Sequence, residues 1–533
     1  MLRVTIPQSW LDELQPTLQD LVTDRVASRI SQKDFTLWGE EAESESKIRL
    51  GWVDSAEACR SLLPELKQVS ARLKEAGVNR IVLCGMGGSS LAPEVISKKY
   101  DLQLEILDST SVEQIEQVIS SGVSNTAVVV SSKSGSTVET DSQKRLFEEL
   151  FAKAGIDKTQ RIIIVTDPGS PMDVAARADG YQVFNADPNV GGRYSALTAF
   201  GIVPSYLVGV PVAELIDQAL LAQEVLAEDS TDNPGLILGA ALARLSSSAG
   251  YRDKVGILAD ENSLPGFADW AEQLIAESTG KDEKGILPVA LTAESKELVA
   301  GFDDLVLISV SERDTFSSPA PALISGRLGE QFLLWEYATA VASRLIQVNP
   351  FDQPDVESAK VAARGMLTNK AERVSPAFSE EGFSVSAKGI SLDEDETVTS
   401  AIRKLVESVS SDGYVSVQGY LNRKAEFDVD RLRNLLVEKT NRPVTFGFGP
   451  RFLHSTGQYH KGGPRNGVFL QLIAETDRDL KVPTRDFSFA ELISAQAEGD
   501  AKVLADLGRP VLKIGLASPI EDFARLIQLI ERI

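Results

Sequence analysis

The chain has 533 residues, 43% of them apolar, and a net charge of −23 from 54 basic against 77 acidic side chains. This length predicts two to four domains with a sizeable buried core. The negative field argues against nucleic acid and anionic membranes as partners, and it obliges any anionic ligand to find its own local cations.

Residues 1–75 read as a helical segment. "WLDELQPTLQDLVTDRVASRI" and "SAEACRSLLPELKQVSARLKEAG" both carry helical spacing of apolar positions, with the charged link "GEEAESESK" between them. From residue 76 the texture changes. "RIVLCG", "LQLEILDS", "TAVVVSS" and "RIIIVTDP" are short apolar runs, each followed by a helical pattern. Continuous apolar strands alternating with helices predict a doubly wound parallel sheet over 76–240. A second, weaker α/β unit spans 241–370, with strands in "KVGILAD", "GILPVAL" and "DDLVLISV" and a long helix in "GEQFLLWEYATAVASRLIQV". Residues 371–397 are polar and acidic and read as a linker. Residues 398–533 alternate again, as a C-terminal α/β domain.

The N-terminus lacks the apolar core of a signal peptide. No run approaches the roughly 20 apolar residues of a membrane span. A cytoplasmic location is therefore expected. Cys59 and Cys84 are the two cysteines, with no C-x-x-C pattern, so neither a disulfide framework nor a thiolate metal site is expected.

Two hydroxyl- and glycine-rich turns follow strands of the first unit: "GMGGSS" at 85–90 and "SSKSGSTVET" at 131–140. Each joins a strand to a helix N-terminus, where free N–H groups and the helix dipole favour an anion. Two such loops at the carboxyl edge of one sheet can converge at its switch point. Neither a Walker loop nor the dinucleotide fingerprint is present, and a single phosphoryl group suits the composition better than a nucleotide. The alternative is an ordinary pair of capped turns. Arg193 in "VGGRYSA" offers a fork for an oxyanion, or is a surface arginine. Glu277 in "QLIAESTGK" is either a carboxylate base or half of a helix-face pair with Lys281. Gln353 and Lys360 sit in "NPFDQPDVESAK". His454 and His460 are the only histidines. On a strand they would lie about 20 Å apart, and on a helix they would face different sides. A shared metal ion is not expected, and a proton-carrying role is.

Taken together and in order, these motifs resemble the glucose-6-phosphate isomerase family, with its paired sugar isomerase domains. The wording of "RFLHSTGQYHKGGPRNGVFLQL" is most similar to the isomerase half of transaldolase–isomerase fusions, although no transaldolase activity is expected. The resemblance implies two doubly wound sugar isomerase domains and interconversion of glucose 6-phosphate and fructose 6-phosphate through an enediol. It assigns phosphate and sugar binding to Gly88, Ser89, Ser132, Lys133, Ser134, Thr137 and Gln353. It makes Glu277 the proton carrier, Arg193 the stabiliser of the enediol, and Lys360 an aid to ring opening. The family's ring-opening histidine follows the glutamate, a position empty here. "GQYHKGG" echoes that segment, so His460 is expected to fill the role from the C-terminal domain. No metal or redox cofactor is implied, and a homodimer is possible for the family. The competing expectations are a non-catalytic sugar-phosphate regulator and an isomerase of broader hexose phosphate specificity.

Overall fold

The computed structural model describes residues 2–355, 365, 367, 375–393, 395–475 and 478–533. The chain opens with a short strand, β1 (Arg3–Thr5), before helices Gln8–Thr23 and Leu63–Glu75. Then come β2 (Arg80–Gly85), β3 (Leu104–Leu107), β4 (Thr126–Ser131), β5 (Ile162–Thr166) and β6 (Gln182–Asn185). All five are parallel, in the order β3-β2-β4-β5-β6. Every residue of β4 and β5 is buried, because helices cover both faces of the sheet. The order reverses between β2 and β4, which brings the loops at 85–90 and 131–137 together at the carboxyl edge.

A two-residue hairpin, β7 (Ser246–Ser247) and β8 (Gly250–Tyr251), precedes the second sheet. That sheet contains β9 (Lys254–Ala259), β10 (Leu287–Leu291), β11 (Leu305–Ser311) and β12 (Ala322–Ser325) in the order β1-β12-β11-β9-β10. Strand β1 pairs antiparallel to β12 and caps its edge. The N-terminal segment is therefore part of the second sheet, not only a helical lead. One continuous apolar core joins its helices (Leu14, Leu18) to both sheets (Leu83, Ile257).

The third sheet holds β13 (Phe378–Glu380), β14 (Phe383–Lys388), β15 (Tyr414–Tyr420), β16 (Val444–Phe448), β17 (Gly467–Ala474) and β18 (Val511–Leu516). Its order is β13-β14-β18-β17-β15-β16. The expected linker is in part a hairpin. β13 pairs antiparallel with β14, and β14 runs antiparallel along β18, with Phe383 and Val385 in the domain core. The alternation in "FSVSAK" is that of a half-buried strand next to the sheet edge, which a low apolar content conceals. No helix among the described residues is long and apolar enough to cross a membrane.

One buried group works against stability. Glu336, in the long helix Leu328–Ile346, is 1% exposed, and neither carboxyl oxygen has a partner among the described residues. Burial raises its pKa well above 4.5. The folded state thus holds a proton that the unfolded chain releases above about pH 4.5, so this group's contribution falls as pH rises towards the folded pKa. Glu336→Met is expected to stabilise the protein by about 1–3 kcal/mol near neutral pH. The gain should shrink below about pH 4.5. Thermal unfolding of both proteins across that range checks it, and a gain independent of pH would contradict it.

Candidate active site

The turn after β2 is pressed between two other segments. Gly87 has φ +53°, and a Cβ there would lie 2.4 Å from the His454 carbonyl oxygen. A Cβ on Gly88 would lie 2.0 Å from the carbonyl oxygen of Gly192. Only glycine allows that approach, so Gly88 serves packing against the arginine-bearing turn. Ser89 is buried, at the start of the helix Leu91–Lys99 region.

In the second loop, Ser132 Oγ lies 3.0 Å from Thr137 Oγ1 and Ser134 Oγ lies 3.0 Å from Ser136 Oγ. No side chain caps the following helix, Val138–Lys153. Its first-turn N–H groups, the hydroxyls and the exposed Ser134 are an arrangement that can serve as an anion cradle. Lys133 Nζ turns aside to Asp167 Oδ2, 2.5 Å away. Burial lowers the Lys133 pKa, and the Asp167 contact opposes that shift.

Beside this cradle, Arg193 and Glu277 meet in a buried contact of 3.9 Å between Nη1 and Oε2. Arg193 also donates to Ser278 Oγ (2.9 Å), to the carbonyls of Pro350 (2.6 Å) and Asp352 (2.8 Å), and to Gln353 Oε1 (3.2 Å). It is held rigidly, with one edge towards Glu277. The glutamate rides on helix Phe267–Thr279. Lys281 does not pair with it as helix spacing suggested. Its Nζ reaches Asp352 Oδ1 (2.6 Å) and the carbonyl oxygens of Asn349 and Asp352. Burial, and then the nearby Arg193 charge, push the Lys281 pKa down to about 8. Arg193 and Lys281 together pin the 349–353 turn. Lys360 lies outside the described residues.

The histidines part company. His460, on the short helix Gly457–Gly462, is 1% exposed inside the third domain. Its Nδ1 lies 2.9 Å from Tyr414 Oη and its Nε2 3.2 Å from Ser416 Oγ. Burial drives its pKa well below 6.5. Both ring nitrogens are thus engaged on β15, away from the glycine loops. His460, expected to complete the site from the C-terminal domain, thus has both ring nitrogens partnered within that domain. His454, at the end of the 3-10 turn Arg451–His454, faces the first domain instead. Its Nε2 lies 2.9 Å from Glu139 Oε1, in the first turn of the helix beyond the anion cradle. Its carbonyl accepts from Gln273 Nε2 at 2.7 Å, and the same nitrogen lies 3.2 Å from Glu277 Oε2.

Gln273 and Glu139 are neighbours that motif reading did not single out. Gln273 sits four residues before Glu277, one turn along the same face. Glu139 is in the quoted "VET", and Gln496 Nε2 holds its Oε1 at 2.7 Å. No group of three or more potential metal-ligating side chains occurs among the described residues.

Residues 54–301 match the family model described as phosphoglucose isomerase. A glucose-6-phosphate isomerase of Geobacter sulfurreducens is 25% identical over 394 residues, covering 62% of this chain and 74% of that protein. Among solved structures, a hypothetical protein of Thermus thermophilus is similar with TM-score 0.56 and 24% identity, over 69% of this chain and 100% of that one. A glucose-6-phosphate isomerase of Chlamydia trachomatis gives TM-score 0.51 and 18% identity, over 66% and 79%. These two likenesses concern the fold.

Proposed function

We propose that this chain, whose residues 54–301 match the phosphoglucose isomerase family model, interconverts glucose 6-phosphate and fructose 6-phosphate. What supports this most is the buried Glu277–Arg193 contact beside two convergent anion-binding turns. The phosphate would rest on Ser89, Ser132, Ser134, Thr137 and the helix N-terminus beyond them, with Lys133 supplying charge nearby. Binding energy from that remote group is available for holding the reacting carbons in place.

Glu277 then removes the proton from carbon 2 and returns it to carbon 1, or the reverse. Arg193, its donors fixed before substrate arrives, offsets the negative charge that develops on the enediol oxygens. Gln353, bonded to Arg193, borders the sugar hydroxyls, and Lys360 retains its proposed part in ring opening. The proton transfer that opens the cyclic sugar falls to His454. The Glu139 carboxylate accepts from Nε2–H and so orients the ring, leaving Nδ1 to exchange a proton with the sugar ring oxygen.

The test is a coupled assay. The purified chain, given fructose 6-phosphate, is expected to generate glucose 6-phosphate, read through a NADP-linked dehydrogenase. Saturable binding of either sugar phosphate without interconversion would instead mark a binding protein.

A further inference from the structure

Among the contacts by which the third domain meets the first is a cluster of four charges. The loops leaving the carboxyl ends of β15 and β16 carry Arg423 and Arg451, each three residues past its strand. In an open α/β sheet this edge, beside the strand from which the chain turns to both flanks, is where ligands bind. Here it receives two carboxylates of the first domain: Glu94, on helix Leu91–Lys99, and Asp108, just past β3. Asp108 is fully buried and Glu94 nearly so. Arg423 Nε lies 2.7 Å from Asp108 Oδ1, and its Nη1 lies 3.1 Å from Glu94 Oε1. Arg451 Nη1 lies 2.7 Å from Glu94 Oε2 and 2.9 Å from Asp108 Oδ2. Each acid touches both bases, so the four groups close a ring. A fifth contact runs from Arg451 Nη2 to Asp269 Oδ2, 3.5 Å away. Asp269 is in the first turn of the helix that carries Glu277.

Arg451 opens the single 3-10 turn that ends at His454. We infer that Arg451, locked with Arg423 between Glu94 and Asp108, is the positioning residue that sets His454 at the cleft shared by the two sugar isomerase units. That role rests on the ring-opening assignment of His454. It follows from chemistry that a buried ion ring adds little net stability over apolar packing yet demands one relative placement of its members. The apolar contacts of the same seam, such as Val482 and Phe489 packed in one cluster with Val82 and Phe147, do not by themselves fix that placement. Fixed acids and fixed guanidinium forks do. Among the described residues the four groups make no hydrogen bond to Arg193 or to the 131–137 turn; they reach the Glu277 helix only through the longer Arg451–Asp269 contact, and the histidine turn that Arg451 opens is the shorter route to the chemistry.

The test is a mutant cycle with two readouts. One is kcat on cyclic hexose 6-phosphate. The other is the affinity for a linear pentonohydroxamate 5-phosphate, whose planar head has the shape and charge of the enediol and needs no ring opening. Arg451→Gln is expected to lower kcat by about tenfold to a hundredfold, the loss expected of a misplaced catalytic group, with hydroxamate affinity near wild type. Arg451→Lys keeps a cation between the two acids and should show a smaller loss of the same kind; it covers a Gln variant that fails to fold. Either change combined with His454→Ala should be no worse than His454→Ala alone. A wild-type kcat in both Arg451 variants, or losses that multiply in the double variants, would overturn the inference while leaving the ring-opening assignment intact. A silent His454→Ala would remove that assignment and this one together.

Discussion

Glu277→Gln is expected to reduce isomerase turnover by at least about a hundredfold, the lower end of what one general acid–base group supplies. The amide keeps the size of the side chain and can keep the Gln273 contact, now 3.2 Å from the carboxylate. It cannot take a proton from carbon. Substrate binding should survive, because the phosphate cradle lies on other elements. Removal of the carboxylate also leaves Arg193 without its counter-charge 3.9 Å away, so affinity for the anionic substrate should hold or rise slightly. Steady-state kinetics and a direct binding measurement separate the two effects. Activity near wild type would show that another group carries the proton. A loss confined to KM would make Glu277 a binding residue only.

The second large effect concerns the histidines. His454→Asn is expected to lower turnover of the cyclic sugar by about a hundredfold or more, leaving the affinity for a linear enediol mimic near wild type. His460→Asn is expected to keep turnover and to lower the Tm, because it disturbs a ring held between Tyr414 and Ser416 inside the third domain. The reverse pattern, a crippled His460 variant with an active His454 variant, would restore the assignment drawn from the "GQYHKGG" wording. The contact carrying this prediction joins residues 315 positions apart in the chain, Glu139 and His454. Apart from Glu139, the turn is held to the first two domains by Gln273 and by the guanidinium of Arg451.

Several elements were legible because their signals are contiguous. The strands at 80–85, 126–131 and 162–166 are unbroken apolar runs, as a sheet covered on both faces requires. The turns between them announce themselves by glycine and hydroxyls. Less visible were short strands at or next to a sheet edge. β1 and β12 have three and four residues, too few for periodicity to register. β14 alternates with serine, and its polar surroundings read as a linker. Its strand character depends on β18, whose paired residues are more than a hundred positions further along the chain.

The sequence by itself determined the α/β alternation, the two glycine- and hydroxyl-rich turns that follow strands, and the motifs that hold Arg193 and Glu277. Each is written in adjacent residues and follows from local backbone chemistry. Tertiary structure alone decided what those residues face. It turned Lys281 from a helix neighbour of Glu277 into the anchor of the 349–353 turn. It required glycine at 87 and 88 because the turns at 454 and 192 close over them. It also gave two histidines only six residues apart different surroundings. That difference is beyond any local pattern, since it depends on how the third domain docks on the first, through charges and apolar side chains whose partners lie hundreds of residues away.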